Sequence, residues 1–334
     1  MKLFRKILFP LVPLYYVAVF LRNKFYDWSV YQSKSYEFPV LCVGNLSVGG
    51  TGKTPMIEYL ITLLDPKYKL ATLSRGYGRK SKGFLIAAPN VTSKDIGDEP
   101  LQIFNKFKNI TVAVDADRQQ GLKLLKEYKP SLEVVLLDDA FQHRKVTAGF
   151  NVLLTAYDQL YCDDIVLPTG NLREPRSGAK RAQVIVVTKC PEHVSDLEKN
   201  NIKAHLNPKS NQAVFFSNIH YSETLKSSTS SRNLRDLKGT YFTLVTGIAN
   251  STPLVKYLKN LGLDFEHLNY KDHHEFSTSE LELIHSKSLV VTTEKDFSRL
   301  NLDTNGQIYY LPIQLKIDKP SEFENLVETY VEEF

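Results

Sequence analysis

Eight consecutive residues, Ser47-Val48-Gly49-Gly50-Thr51-Gly52-Lys53-Thr54, have the types and spacing that hold a phosphate chain. The usual phosphate loop is G-x-x-x-x-G-K-[ST]. Here Ser47 stands at the first glycine, while Gly52, Lys53 and Thr54 keep the rest. Gly49 and Gly50 let the backbone curl so that successive N–H groups face one anion. Lys53 then reaches the outer phosphate oxygens, and the Thr54 hydroxyl is suited to magnesium. Pro55 is tolerated because the first helical turn has no use for its missing N–H. A second group complements the loop. Val134-Val135-Leu136-Leu137-Asp138-Asp139 is an apolar run ending in two acids, the pattern of a buried strand that delivers a carboxylate to magnesium directly or through water. Either Asp138 or Asp139 could make that contact. GTP-specific switches read the base with Asn-Lys-x-Asp. The best-placed strand end, Thr188-Lys189-Cys190-Pro191, has neither the Asn nor the Asp, which points to ATP.

These residues need a scaffold. Short apolar runs at 39–43, 70–74, 110–115, 134–137, 152–155 and 184–188 read as strands. Between them lie helical spacings such as Met56-Ile57, Leu60-Ile61 and Leu64, or Leu122, Leu124 and Leu125. Such alternation predicts an α/β fold, a doubly wound phosphate-loop NTPase domain around a mostly parallel sheet. A second alternation begins near Tyr241, with a strand at 242–246, a helix at 253–261 and a strand at 289–292. It predicts a smaller α/β domain. Strand-like stretches at 213–219 and 307–315 flank it and would pair as a two-stranded antiparallel hinge, while 222–231, rich in Ser and Thr, reads as a loop. The expected division is an amino-terminal membrane-associated segment at 1–28, the phosphate-loop kinase domain at 29–222, and the smaller domain with the return hinge strand at 223–334.

A chain of 334 residues, 43% of them hydrophobic, can bury the cores of two such domains. Its net charge of +5 suits an anionic partner without choosing among nucleotide, lipid surface and nucleic acid. Cys42, Cys162 and Cys190 form no CxxC, so neither a disulfide framework nor a cysteine zinc site is indicated, and a reducing compartment fits. The amino terminus departs from the rest in composition. Lys2, Arg5 and Lys6 precede an apolar stretch at 7–21 closed by Arg22 and Lys24, with no acid before Asp27. A secretory signal lacks its small-residue cleavage pattern here, where Leu21-Arg22-Asn23-Lys24 stands instead. A spanning helix needs about 20 apolar residues; this run is shorter and contains Pro10 and Pro13. An interfacial helix fits best, with Phe4, Leu8, Leu11, Leu14, Tyr15 and Phe20 entering the headgroup boundary and the cations meeting anionic lipid. A first helix packed on the domain core is the remaining reading.

The other motifs are Val43-Gly44-Asn45, Ser74-Arg75-Gly76-Tyr77-Gly78-Arg79, Gly97-Asp98-Glu99-Pro100, Asp117-Arg118, Asp138-Asp139-Ala140-Phe141-Gln142-His143, Leu172-Arg173-Glu174-Pro175, Asp272-His273-His274 and Thr293-Glu294-Lys295-Asp296. With them the chain resembles the tetraacyldisaccharide 4'-kinases over nearly its whole length, a family that shares the serine at position 47. The resemblance implies transfer of the ATP γ-phosphoryl group, with Mg2+, to the 4'-hydroxyl of the tetraacyldisaccharide 1-phosphate precursor of lipid A. It implies the cytoplasmic face of a bacterial inner membrane, a glycolipid substrate, a membrane surface as partner, no nucleic acid and no obligate protein partner. It also implies that Asp98 takes the hydroxyl proton with support from His273, its neighbour His274 being the alternative inward residue. By residue type alone, Asp98-Glu99-Pro100 is a helix start and His273-His274-Glu275 a polar loop. The guanidinium forks of Arg118 and Arg173 suit a transferring phosphoryl group or the substrate's own phosphate. Glu99 and Glu174 would order magnesium, water or these arginines. Arg75, Tyr77 and Arg79, on a loop loosened by Gly76 and Gly78, would contact substrate phosphate or sugar. Two rivals share the phosphate loop: a membrane-associated NTPase switch acting on a protein partner, and a soluble sugar or nucleoside kinase whose first 27 residues are a packing helix.

Overall fold

A computed structural model describes residues 5, 7–272, 274–300 and 307–334, so His273 lies outside the described residues. Strands rich in Val, Ile and Leu must be covered on both faces, and the larger sheet meets that demand. It uses β1 (Val40–Asn45), β2 (Leu70–Ser74), β3 (Leu85–Ile86), β4 (Thr111–Val114), β5 (Val134–Asp138), β6 (Phe150–Ala156), β7 (Val184–Thr188) and β8 (Ala213–Tyr221). The second sheet takes β9 (Thr224–Lys226), β10 (Ser231–Asn233), β11 (Phe242–Thr246), β12 (Phe265–Asn269), β13 (Val290–Thr293) and β14 (Ile308–Leu311); β15 (Ile313–Ile317) returns to the first. The nine-stranded sheet runs β15-β8-β7-β6-β1-β5-β2-β4-β3. Its interior pairs are parallel, and β3 and β15 are antiparallel edges. Alternate residues of each strand feed separate cores. Val40 and Cys42 pack with Leu73 and Leu137 on one face, while Leu41 and Val43 pack on the other with Met56, Ile57 and Leu60. From β1 the chain crosses to β2 on one side and, later, from β5 to β6 on the other. The carboxyl end of β1 is therefore at the reversal where such sheets keep their ligands.

The smaller sheet runs β10-β9-β14-β13-β11-β12 and is parallel from β12 to β14. The strand expected at 307–315 is two strands split at Pro312. β14 stays in the small sheet, and β15 pairs antiparallel with β8 across Ile313↔Tyr221 to Ile317↔Ser217. Chain exit and return lie side by side, with the Ser222 N–H donating to the Pro312 carbonyl at 2.9 Å. After β15, the helix Pro320–Glu332 buries Phe323, Val327 and Val331 in the larger domain's core. The grouping 223–334 thus differs from the structure at its end, because those three apolar residues complete the large sheet's layer. The stretch read as a loop at 222–231 holds β9 and the turn that leads into β10, with which β9 pairs antiparallel.

At the amino terminus, Pro10 sits in a single turn (Phe9–Leu11) and Pro13 in the first turn of the helix Val12–Asp27, where neither costs a hydrogen bond. Among the described residues no helix is long and apolar enough to cross a membrane.

Candidate active site

The phosphate loop connects β1 to the helix Lys53–Leu64. Gly52, the residue before this helix, has φ +85°, a left-handed conformation that glycine adopts without steric cost. No side chain caps the helix start and its first turn holds no acid, so its amide hydrogens remain for an anion. The loop is held from the flanks. Val48 N–H donates to the Asn171 carbonyl at 2.8 Å, Ser47 bridges to Leu172, and the Thr188 hydroxyl donates to the Thr51 carbonyl at 2.8 Å. Lys189, at the end of β7, donates its ammonium to the Gly50 carbonyl. Thr51 Oγ1 is buried with no hydrogen-bond partner among the described residues.

The two acids diverge in environment although adjacent. Asp139 is 3.7 Å from the Lys53 ammonium and is gripped by Arg173, whose Nη2 and Nη1 donate to its two oxygens at 2.8 and 3.2 Å. Burial opposes the charge of Asp139, but Lys53 and the Arg173 hydrogen bond outweigh it and hold the carboxyl below its ordinary range. Asp138 is fully buried, and its Oδ1 has no hydrogen-bond partner among the described residues. Burial, followed by the negative charges of Glu99 and Asp139, pushes its pKa up to about 8. A divalent cation fits this site: it would satisfy the orphaned oxygen and reverse the charge balance that protonates Asp138. Thr54 and Glu99 complete the set of oxygen donors expected from sequence, and the negative charge of Glu99 acts on Asp138.

Two arginines close the acid pair. Arg118 opens the helix Arg118–Tyr128 after the Asp117 cap and is buried, donating to the Ala116 carbonyl at 2.9 Å and the Asp139 carbonyl at 3.4 Å. Burial lowers its pKa, with Asp138 and Asp139 opposing. Arg173 also donates to the Asn45 side chain and, at 3.0 Å, to the Asn45 carbonyl. Glu174 turns away from the acids. It is buried between Arg181 (2.8 and 2.9 Å), Gln142 (2.9 Å) and Asn23 of the amino-terminal helix (2.9 Å). Its observed partners are thus protein groups, which make it a brace behind Arg173.

Asp98 and Glu99 begin the helix Asp98–Lys106. Gly97, just before it, has φ +91°, and a Cβ there would lie 2.8 Å from the Tyr77 carbonyl oxygen. A Cβ on Gly76 would in turn lie 2.7 Å from the Ile96 carbonyl. The glycines thus let the loop bearing Arg75, Tyr77 and Arg79 lie backbone to backbone against the turn bearing Asp98. Arg75 and Tyr77 are exposed on that loop, whereas Arg79 folds back to the Gly83 carbonyl (2.7 Å) and Ser81 (3.3 Å). Across from Asp98 stands the second domain, whose Arg299 Nη2 donates to Asp98 Oδ2 at 2.6 Å. His274 is committed inside that domain: its Nε2 lies 3.0 and 3.1 Å from the Glu280 oxygens, and its ring stacks on Tyr270.

Sequence spacing therefore locates the loop and the acid pair, while Asp98 and the arginines are expected through the resemblance and residue type. It does not single out Arg181, Lys189, Glu58 or Arg299, which are isolated polar residues without periodic signature. Glu58 is buried on the helix Lys53–Leu64, a placement that its residue type does not signal.

A family model described as tetraacyldisaccharide-1-P 4'-kinase matches residues 4–332. A tetraacyldisaccharide 4'-kinase of Flavobacterium johnsoniae is 47% identical, covering 100% of this chain and 99% of its own length. One from Bacteroides thetaiotaomicron is 42% identical over 98% of this chain and 93% of its own. The crystal structure of the "apo" form of LpxK from Aquifex aeolicus in complex with ATP, at 2.2 Å resolution, matches with a TM-score of 0.80 and 30% identity, over 98% of this chain and 99% of that one. The chain belongs to the tetraacyldisaccharide-1-P 4'-kinase family.

Proposed function

We propose that this chain transfers the γ-phosphoryl group of ATP to the 4'-hydroxyl of a tetraacyldisaccharide 1-phosphate at the cytoplasmic face of a membrane. One observation carries the reading: Lys53, Arg118 and Arg173 converge on the Asp138-Asp139 pair beside the phosphate loop, and the charge of Glu99 acts on Asp138. The loop amides and Lys53 hold the β- and γ-phosphates, and Arg118 and Arg173 counter the charge that spreads over the transferring group. Bound magnesium, held by Asp138 or Asp139 with Thr54 and Glu99 near it, supplies further charge neutralisation. Asp98 accepts the proton of the 4'-hydroxyl as its oxygen bonds to phosphorus, and the γ-phosphorus–oxygen bond breaks toward ADP. His273 supports Asp98. Arg75 and Tyr77 meet the sugar or its phosphate, while Arg79, bonded within its own loop, shapes that loop.

The acceptor's acyl chains call for a membrane surface, and the helix Val12–Asp27 supports one. Leu14, Val17 and Leu21 are 70%, 50% and 42% exposed on it, while Val12 and Tyr15 pack on the larger domain's core. The Tyr15 hydroxyl donates to the Arg173 carbonyl at 3.0 Å, so the helix presents its apolar face to lipid directly behind the phosphate-binding residues.

The test supplies γ-labelled ATP and a tetraacyldisaccharide 1-phosphate in mixed micelles. Label is expected in the lipid. Release of free phosphate alone, stimulated by a protein partner, would favour the NTPase switch. Asp98→Ala is expected to lower turnover by about 100-fold or more while ATP binding persists; near-normal turnover would remove the role given to Asp98.

A further inference from the structure

One short helix of the second domain, Glu294–Leu300, reaches the first domain at two points. Glu294 receives the Lys106 ammonium at 2.9 Å, and Arg299 grips Asp98 at 2.6 Å, so both ends of the helix Asp98–Lys106 are tied to it. The side chains of Arg299 and Asp98 are only 6% and 17% exposed. Arg299 is itself built into its own domain: its Nη1 donates to Asp296 Oδ1 at 3.1 Å and to the Gly247 carbonyl at 3.2 Å. Asp296 in turn accepts the Gly247 N–H at 2.9 Å and the Thr293 hydroxyl at 2.7 Å. The guanidinium is therefore fixed at one nitrogen by the second domain and presents the other to Asp98.

We infer that Arg299 is a positioning residue for phosphoryl transfer: through it the second domain aims the Asp98 carboxylate at the acceptor hydroxyl. A carboxylate at the first position of a helix can rotate about its side-chain torsions, and proton acceptance demands hydrogen-bond reach and direction. Arg299 restrains one oxygen, Oδ2, in an enclosed setting where a charge-assisted hydrogen bond is strong and directional. Lysine at this position keeps the cation but not the fork that bonds Asp296, Gly247 and Asp98 together. The inference rests on the kinase reading above, and in particular on Asp98 as proton acceptor.

The test measures kcat and KM for both ATP and a tetraacyldisaccharide 1-phosphate in mixed micelles. It uses the full chain and its Arg299→Met, Arg299→Lys, Asp98→Ala and Arg299→Met/Asp98→Ala variants, with equilibrium ATP binding as a check on folding. Positioning predicts that Arg299→Met lowers kcat about 10- to 100-fold with ATP affinity unchanged, and that Arg299→Lys recovers part of the loss. It also predicts that adding Arg299→Met to Asp98→Ala costs no further turnover, because residues acting as a unit are not additive. A full additional loss in the double variant overturns the inference. So does an unchanged kcat in Arg299→Met. If Arg299→Met no longer binds ATP, the decision passes to Arg299→Lys, and wild-type kcat there overturns it. Wild-type turnover in Asp98→Ala instead defeats the underlying assignment of the base, a result separate from either Arg299 outcome.

Discussion

Asp138 carries a charge conflict that the metal-free protein resolves by protonation. Its carboxyl, pushed up to about 8 by burial and then by Glu99 and Asp139, holds a proton in the folded chain. The unfolded chain releases that proton near an ordinary value of about 3.9. The folded state thus binds the extra proton, and this residue's contribution to stability falls as pH rises through that interval, levelling off above about 8. Without divalent cation, the thermal midpoint should fall more between about pH 6 and about pH 9 in the wild type than in Asp138→Asn. Equal slopes in the two proteins would contradict the environment described for Asp138. Gly97 is the second residue on which the site depends. Alanine there must adopt a conformation essentially reserved for glycine and crowd the Tyr77 carbonyl, so Gly97→Ala should cost about 1–3 kcal/mol by denaturant titration and slow turnover. The signatures of Lys53 and Asp138 are visible as spaced motifs because each sits at a loop or strand end of defined pattern, whereas Asp98, at a helix start, stands out only through the resemblance. Arg299 and Lys189 carry no such signature, because their meaning comes from the residues that folding brings beside them, Asp98 and Gly50, both far away in sequence.

Elements were legible where their periodicity was strong. The strands at 70–74, 184–188 and 242–246 appear with the expected bounds, since each is a short apolar-rich run buried on both faces. β12, Phe265–Asn269, went unread because Glu266, His267 and Asn269 interrupt its apolar pattern at an edge of the small sheet, where it is only half-buried. The split of 307–315 at Pro312 was hidden for the opposite reason, two apolar strands in succession looking like one. The helix Val12–Asp27 combines both cases. Its composition suggested an interface, but only the fold separates the residues that face outward from those that hold the site. Leu14→Glu should therefore reduce co-sedimentation with anionic vesicles by about tenfold without changing ATP affinity in solution. Tyr15→Phe, which removes the bond to the Arg173 carbonyl, should leave vesicle binding near wild type and lower kcat modestly. Equal vesicle binding by Leu14→Glu and wild type would exclude this face as the lipid contact.

At the scale of the whole molecule, the two domains are joined through the paired strands β8 and β15 of the larger sheet and through a chain of charges. Glu58, buried on the phosphate-loop helix, accepts from Gln102 and Lys106 at 2.8 Å each, and Lys106 continues to Glu294 of the second domain at 2.9 Å. Burial raises the pKa of Glu58, with Lys106 opposing, so the lysine is what keeps a buried carboxylate tolerable. Nothing in the apolar spacing of 53–64 foretold this connection, because a glutamate within a helix reads as surface until its partners are known. Removing one member of a buried pair strands the other, at a cost of about 3–5 kcal/mol, whereas replacing both by well-packed neutral groups is often close to neutral. Lys106→Met should accordingly lower the thermal midpoint sharply, and Glu58→Gln/Lys106→Met should recover most of it. The double variant should nonetheless lose the connection to Glu294. Hydrogen exchange in the helix Glu294–Leu300 is then expected to stay faster than wild type even where the midpoint has recovered, since local opening is governed by local contacts. If exchange there follows the midpoint back to the wild-type rate, Lys106 acts only within the larger domain and the domains are coupled by Arg299 and the paired strands β8 and β15 alone.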